Sequence, residues 1–135
     1  MGKTIGHKEA AVGLDLKGIF ETIDRMDARG FASYFTQDGL FTFGNAPTVK
    51  GRDEITTAVE GFFSSIKGLE HRVIETWRDQ GSEIVEVDVT YTRHDDALVD
   101  LKAACIFRVE NDLISDYRIY MDINPLYAEA ESPGV

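Results

Sequence analysis

The last third of the chain constrains the fold most strongly, because it predicts two long β-strands joined by a short turn. The first strand is predicted over residues 98–109 and the second over residues 113–122, with a polar turn at residues 110–112 between them. Runs rich in β-branched and aromatic residues on both sides of such a turn are typical of a β-hairpin.

The second of these strands alternates between apolar and polar side chains. Its apolar set is Tyr117, Ile119 and Met121, and its polar set is Arg118, Tyr120 and Asp122. Successive side chains point to opposite faces of a sheet, so one face is expected to be apolar. A register shifted by one residue would exchange the two sets. We expect the apolar set inside, because unpaired charge in a dry cavity is costly.

Length and composition predict one globular domain over residues 1–135, with flexible tails at about residues 1–10 and 128–135. Hydrophobic residues make up 43% of the chain, including 8 Phe and 5 Tyr, which is ample material for a core. The 24 acidic residues outnumber the 14 basic ones and give a net charge of -10. This balance argues against a nucleic-acid partner, since phosphate binding needs clustered Lys and Arg.

The sequence lacks the motifs of disulfide-bonded, membrane-spanning, metal-binding and cofactor-binding proteins. The single cysteine, Cys105, allows no internal disulfide, which fits a reducing compartment, and the cytoplasm is the default expectation. No apolar run approaches the roughly 18 residues that span a bilayer, so no membrane partner is expected. No metal site and no organic cofactor are predicted. The turn at residues 94–96 is read as solvated because adjacent turn residues do not close a coordination shell.

The rest of the chain predicts three helices followed by antiparallel strands. Apolar residues at helical spacing predict a first helix over residues 13–26, and Asp27 is predicted to cap a short second helix. A third helix is predicted to follow Gly51 and to end at Gly68. Asp38-Gly39 reads as a turn before a strand at residues 40–43. Alternation then predicts strands at 71–78 and 83–92. Helices first and strands after is the α+β pattern.

Four passages of the chain resemble the nuclear transport factor 2-like superfamily, and its SnoaL-like branch most closely. They are YFTQDGLFTF at 34–43, VKGRDEI at 49–55, FRVEN at 107–111 and YRIYMD at 117–122. The resemblance implies a cone of three helices and a curved antiparallel sheet, as in the cystatin-like, ketosteroid isomerase-like roll. It also implies an apolar cavity and a homodimer through the outer face of the sheet. Members include isomerases, epoxide hydrolases, dehydratases, polyketide cyclases and carriers, so the fold alone does not identify a reaction.

The catalytic positions of ketosteroid isomerase are not matched by suitable residues here. Its proton-shuttling carboxylate would fall at Phe43, its oxyanion-holding tyrosine near Phe20, and its second carboxyl at Cys105. Phenylalanine cannot move a proton. A thiol is a weak substitute for the second donor.

The epoxide hydrolase and cyclase positions are not matched either. The acid, base and linking arginine of the hydrolase would fall near Thr90, Ile119 and Asp88. The last-strand aspartate of the SnoaL-like cyclases would also fall at Ile119. Only Asp88 is ionisable among these, and its charge is opposite to that of arginine.

Three residues are therefore the candidates for catalysis. Asp88 would be a general base if it were partly buried, although a solvated strand face is the simpler reading. His71 opens a strand and is the alternative base, or a hydrogen-bonded residue at the rim. Tyr117 would orient a ligand with its hydroxyl, or bond to backbone within the core. Cys105 is read as a small buried hydrophobe and not as a nucleophile.

The predicted ligand is a small, largely apolar, ring-bearing molecule, and its expected contacts are mainly aromatic and aliphatic. The ligand-binding candidates are Phe20, Phe41, Phe43, Phe63, Thr90, Cys105, Phe107, Ile119 and Met121. Three functions stay open: a cofactor-independent proton-transfer enzyme, a non-catalytic carrier or sensor, and a dimerising scaffold. A cavity of roughly 300 Å³ shared by Asp88 and Tyr117 would favour the first two.

Overall fold

The computed structural model describes residues 14–128, and the α+β class predicted from the sequence is confirmed. The elements are α1 (Leu16–Asp24), α2 (Ala28–Ala32), β1 (Phe35–Phe43), β2 (Val49–Lys50), α3 (Arg52–Ser64), β3 (Gly68–Asp79), β4 (Ser82–Thr92), β5 (Leu98–Glu110), β6 (Leu113–Tyr120) and α4 (Asn124–Tyr127). The tails expected at about residues 1–10 and 128–135 lie outside the described residues, apart from residue 128. No helix within residues 14–128 combines the length and hydrophobicity needed to cross a membrane.

The six strands form one curved, open sheet in the order β2-β1-β6-β5-β4-β3. Strands β3 to β6 form an antiparallel meander, but β1 runs parallel to β6. The expectation of a wholly antiparallel sheet is therefore wrong at this pair. Short turns fix the directions of β3 to β6 relative to one another, whereas β1 is separated from β6 by most of the chain and no hairpin sets its direction.

The helix N-termini follow from local side-chain chemistry. The Asp15 carboxylate accepts a hydrogen bond from the Gly18 amide at 3.0 Å, and the Asp27 carboxylate accepts one from Gly30 at 2.9 Å. The predicted cap at Asp27 is thus confirmed. Helix α3 starts after Gly51, whose φ of 90° is a conformation that side chains disfavour. The first helix is shorter than predicted at both ends.

Two of the predicted element boundaries are wrong. Asp38-Gly39 lies inside β1 and makes no turn, and the pairing with β6 is irregular between Phe35 and Leu40. A Cβ on Gly39 would come within 2.9 Å of the Phe35 ring, so glycine serves close packing there. Gly68 does not end a helix but begins β3.

The core lies between the concave face of the sheet and helices α1 to α3. Strand β4 shows how the faces divide, because Val85, Val87 and Val89 are buried while Glu86 between them is exposed. On β6, Tyr117 and Ile119 pair with the inward-facing residues Phe107 and Cys105 of β5. The inward register is therefore the one that the alternation predicted, with Arg118 on the opposite face.

Candidate functional site

A cavity of about 240 Å³ lies between the concave face of the sheet and the helices. Its walls come mainly from β1, α3, β4, β5 and β6, and they are almost wholly apolar. No Asp, Glu, Lys or Arg belongs to the lining that residues 14–128 provide. Six of the predicted ligand-binding residues line this cavity: Phe41, Phe43, Phe63, Cys105, Ile119 and Met121.

Other lining residues were not predicted as ligand contacts. They include Ile23 and Phe31 on the helices and Tyr91 on β4, whereas Phe62 on α3 was read from the sequence as pocket wall and core together. Phe62 and Ile23 belong to the helical stripes that predicted buried faces, but a stripe does not distinguish a cavity wall from a filled core. Only the three-dimensional packing separates these two roles.

Phe20 and Phe107 are buried behind the cavity and do not line it. The Phe20 ring stacks on His71 with 4.8 Å between ring centroids, and the Phe107 ring lies 4.1 Å from that of Tyr117. Their predicted direct contact with ligand is not what the structure shows. Each instead supports a polar residue that does reach the cavity.

Asp88 and Thr90 are on the wrong face of the sheet for the cavity. The Asp88 carboxylate lies 3.6 Å from the Lys102 ammonium, and the Thr90 hydroxyl donates to Asp100 at 2.6 Å. The valines of β4 point inward, so the alternating residues between them point outward. Asp88 therefore does not share the cavity with Tyr117 and lies on the outer strand face, which was the simpler of its two readings. The prediction that Thr90 contacts ligand in the cavity is wrong.

His71 enters the cavity lining from β3 and is held there by Asp24 at the end of α1. Its Nδ1 lies 2.6 Å from Asp24 Oδ1, and its backbone amide donates to Asp24 Oδ2 at 3.0 Å. The His71 side chain is only 9% exposed. Asp24 was missed by sequence reasoning, and its one signal is its position four residues after Phe20, on the apolar side of α1.

The Asp24 carboxylate fixes which ring nitrogen of His71 is available. A carboxylate can only accept, so Nδ1 carries a proton in this pair and Nε2 of the neutral ring is an acceptor. Nε2 has no hydrogen-bond partner within residues 14–128. An imidazole oriented by a carboxylate and free at its second nitrogen is suited to take up a proton.

Two buried tyrosines direct their hydroxyl groups at sulfur atoms in the same cavity. Tyr117 Oη donates to Cys105 Sγ at 3.7 Å, and Tyr91 Oη donates to Met121 Sδ at 3.8 Å. Burial raises the pKa of both phenols, and it raises the pKa of the Cys105 thiol to about 11. These three groups are therefore protonated near neutral pH. Because sulfur is a weak acceptor, both hydroxyls retain unused capacity to donate.

A second, more polar hollow of about 520 Å³ adjoins the cavity and shares Phe43, Ala46, Phe62 and Met121 with it. Asn45, Asp122, Asn124 and Tyr127 also border this hollow. Within residues 14–128 no group of three His, Cys, Asp or Glu side chains could hold a metal ion. The apolar cavity, with its few polar atoms, has the character of a small-molecule site.

The fold is similar to that of NTF2-like and ketosteroid isomerase-like structures. The family model for the SnoaL-like domain matches residues 16–117. The chain belongs to the SnoaL-like domain family. A search of curated protein sequences gave no significant match.

Three solved structures are similar to the chain in fold. An NTF2-like protein of unknown function from Burkholderia pseudomallei has a TM-score of 0.75 and 17% identity, covering 82% of this chain and 90% of that one. A protein with a ketosteroid isomerase-like fold from Catenulispora acidiphila, solved with trimethylamine, has a TM-score of 0.73 and 13% identity, covering 78% and 82%. An LEH-like epoxide hydrolase from M. tuberculosis has a TM-score of 0.69 and 13% identity, covering 83% of each chain. At these identities the likeness shows the fold alone.

Proposed function

We propose that the cavity binds a small, uncharged, ring-bearing molecule and that His71, oriented by Asp24, transfers a proton on it without a cofactor. The reaction would be of the isomerase, cyclase or dehydratase type. The observation that carries this proposal is the 2.6 Å contact between His71 Nδ1 and Asp24 Oδ1 at the wall of an apolar cavity. Asp88, on the outer face, is no longer the candidate base.

The size and charge of the cavity limit the ligand. An apolar protein cavity of about 150 Å³ is large enough for benzene. A cavity of about 240 Å³ therefore suits one or two rings, although it is smaller than the roughly 300 Å³ usual for drug-sized ligands. Because the lining offers no cationic side chain apart from His71, burial of a carboxylate or phosphate there would be costly.

The tyrosines supply the polar contacts in this proposal. A ligand carbonyl or hydroxyl oxygen is a stronger acceptor than the sulfur atoms that Tyr91 and Tyr117 now contact. Tyr117 thus keeps the orienting role expected from the sequence, and Tyr91 joins it. A tyrosine that stays protonated through burial can stabilise negative charge developing on a ligand oxygen.

His71 would carry the proton between two positions of the ligand. Nε2 takes a proton from a C–H or O–H group, and the Asp24 carboxylate stabilises the imidazolium that results. The same nitrogen then returns the proton at the second position, so no net acid or base is consumed. Stacking on Phe20 keeps the ring in one orientation during both steps.

A non-catalytic carrier or sensor is the second candidate, favoured by one observation. His71 is the only side chain with a basic nitrogen in the lining that residues 14–128 provide, and burial raises the pKa values of Cys105 and both tyrosines, so these hold their protons. A reaction that needs a separate acid and base would lack one of them.

The test combines ligand identification with a chemical probe of the base. Mass spectrometry of molecules that copurify with the protein would identify the ligand class. The probe is 5-nitrobenzisoxazole, an uncharged two-ring compound. A base removes its carbon-bound proton, the N–O bond breaks, and the electron pair goes to oxygen to give a coloured phenolate.

We expect the wild-type protein to accelerate this ring opening, with a rate that saturates as the probe concentration rises. In H71N the rate should fall by at least about tenfold. D24N should lower the rate as well, while D88N, a matched change on the outer face, should leave it unchanged. Saturable binding with equal rates for H71N and wild type would indicate a carrier. Absence of binding together with no copurifying molecule would overturn both candidates.

A further inference from the structure

The polar hollow beside the apolar cavity meets that cavity along a shared wall. Phe43, Ala46, Phe62 and Met121 belong to the linings of both spaces. The Phe43 and Phe62 rings pack edge to face, with 5.0 Å between their centroids, so this pair borders both spaces. The hollow, at about 520 Å³, is the larger of the two. A ligand whose ring fills the cavity can therefore extend into the hollow.

The hollow differs from the cavity because it carries polar side chains with unused hydrogen-bonding capacity. Asp122 Oδ1 accepts from the Asn124 backbone amide at 3.0 Å, and Asp122 Oδ2 has no partner within residues 14–128. The side-chain amides of Asn45 and Asn124 make no hydrogen bond to any described residue. All three side chains are exposed, so a ligand can reach them. The hollow thus offers one carboxylate and two amides that can each donate and accept.

The charge of this lining limits what can occupy the hollow. Asp122 is the one charged side chain that residues 14–128 contribute to it. An anionic substituent would meet that carboxylate without any counter-charge. A cationic substituent would satisfy Asp122, but it has only donors and would leave the N–H groups of Asn45 and Asn124 without an acceptor. A hydroxyl group both donates and accepts, so it complements the carboxylate and the amides together.

Tyr127 adds an apolar surface to this polar hollow. Its hydroxyl lies 2.8 Å from Ser65 Oγ in a hydrogen bond, and the residue is 52% exposed. Its ring contacts no other aromatic ring of residues 14–128. A tyrosine held by its hydroxyl can present the ring to C–H groups of a ligand. An aromatic ring beside a carboxylate and two amides suits a substituent that has both C–H surfaces and hydroxyl groups.

We propose that the hollow binds a neutral substituent with two or more hydroxyl groups, of the sugar or polyol type, carried by the ring in the cavity. Asp122 accepts from the hydroxyls, Asn45 and Asn124 donate to their oxygens, and Tyr127 packs against C–H groups. This inference rests on the proposed function for the position of the ring. It names the ligand class as uncharged hydroxylated ring compounds, such as aryl glycosides.

The test compares phenyl ethers that share one ring and differ in the substituent. Isothermal titration calorimetry of the full chain at neutral pH would use anisole, phenyl glucoside, phenyl glucuronide and phenoxyethylamine. These carry no further group, neutral hydroxyls, hydroxyls with a carboxylate, and an ammonium group. We expect phenyl glucoside to bind at least about tenfold more tightly than anisole, because it adds hydrogen bonds to a carboxylate. The glucuronide and the amine should both bind more weakly than the glucoside.

Variants assign this preference to the hollow. D122N should weaken binding of phenyl glucoside by at least about fivefold and leave binding of anisole unchanged. D79N is the matched control, because it changes the net charge equally at an exposed residue outside the hollow, and it should affect neither probe. Y127L should weaken binding of the glucoside about threefold, whereas Y127F, which keeps the ring, should not. Circular dichroism would check that each variant is folded.

Equal affinities for phenyl glucoside and anisole would overturn this inference while leaving the cavity as a ring site. Tighter binding of the amine than of the glucoside, or equal effects of D122N and D79N, would overturn it too. If no phenyl ether binds but ring opening of 5-nitrobenzisoxazole still depends on His71, the inference about the hollow fails and the proposed function stands. Preferential binding of the glucoside without any ring opening would uphold the hollow and reject the proton transfer.

Discussion

The two faces of β4 differ in chemistry although their residues alternate along one strand. The inner row is Val85, Val87 and Val89, each no more than 1% exposed, and the outer row is Glu86, Asp88 and Thr90. A carboxylate on the outer row cannot reach the cavity, however close it is in sequence to a lining residue. The carboxylate that does approach the cavity, Asp24, comes from helix α1 and contacts the edge strand β3.

This difference shows at which strands of the sheet a polar, ionisable side chain can face the cavity. The central strands supply apolar walls because their inner residues are covered by helices on one side and by neighbouring strands laterally. At the edge, His71 has a strand on one side only, and α1 provides both a carboxylate and a stacking ring for it. A charged group becomes tolerable inside when a partner satisfies it.

The largest expected effect comes from exchanging the chemistry of the two faces. V87D would bury an unpaired carboxylate in the cavity wall, and we expect it to lower the free energy of unfolding by about 4 kcal/mol or more. D88V, on the outer face, should change it by less than about 1 kcal/mol. Urea unfolding at neutral pH measures both. Equal effects of the two variants would contradict the assignment of the faces.

A smaller effect should appear at alkaline pH because of the buried thiol. Burial raises the pKa of Cys105 to about 11 from an ordinary value of 9.0. The folded chain therefore keeps a proton that the unfolded chain loses above pH 9, so stability falls as pH rises from 9 to 11. With about 1.4 kcal/mol per pKa unit, the loss is about 2 kcal/mol at pH 11 and approaches about 3 kcal/mol only above that pH.

Urea unfolding of wild type and C105A at pH 8, 9, 10 and 11 tests this expectation. C105A should show a shallower decline between pH 9 and 10. Above pH 10 both proteins should lose stability further, because burial raises the pKa of Tyr91 and Tyr117 as well. Parallel curves for the two proteins would mean that the thiol is not protected by the fold.

Sequence patterns predicted the elements that local physics determines. The helical stripes, the Asp27 cap and the inward set on β6 all depend on periodicity or on a single side chain, and each was found. The parallel pairing of β1 with β6 was not predicted, because no local signal reports the direction of strands that are far apart in sequence. The irregular pairing around Gly39 was mistaken for a turn for the same reason.

The site was predicted in part. Phe41, Phe43 and Phe63 were expected to contact ligand from their hydrophobicity alone, and they line the cavity. Asp88 was chosen in case it was partly buried near the cavity, but it lies on the outer face of β4 beside Lys102. The pairing of Asp24 with His71 joins residues 47 positions apart, and no spacing rule links them.

Comparing the carboxylate that contacts His71 with the carboxylate that contacts Lys102 on the outer face gives the next effect. D24N keeps the shape of the side chain but removes the charge that His71 Nδ1 and its backbone amide contact, and we expect a cost of about 1–2 kcal/mol. D88N should cost less than about 0.5 kcal/mol, because Lys102 is largely exposed. Chemical unfolding of the two variants under one set of conditions gives both values. A larger cost for D88N would reverse the roles of the two carboxylates.

The smallest effect on stability is expected from removing a tyrosine hydroxyl. Removal of the hydroxyl of Tyr117, on the inner face, and of Tyr120, on the outer face, should differ in their effect on ligand binding and not on stability. Y117F removes a buried hydroxyl whose only hydrogen-bond partner among residues 14–128 is Cys105 Sγ at 3.7 Å, so the free energy of unfolding should change by less than about 1 kcal/mol. Y120F on the outer face should change it as little. The concentration of 5-nitrobenzisoxazole that half-saturates the ring-opening reaction should rise in Y117F but not in Y120F. The reason is that the Tyr117 hydroxyl, which now donates to sulfur, would no longer be there to donate to a ligand oxygen. If Y117F instead destabilised the fold strongly with unchanged saturation, its hydroxyl would belong to the core and not to the binding site.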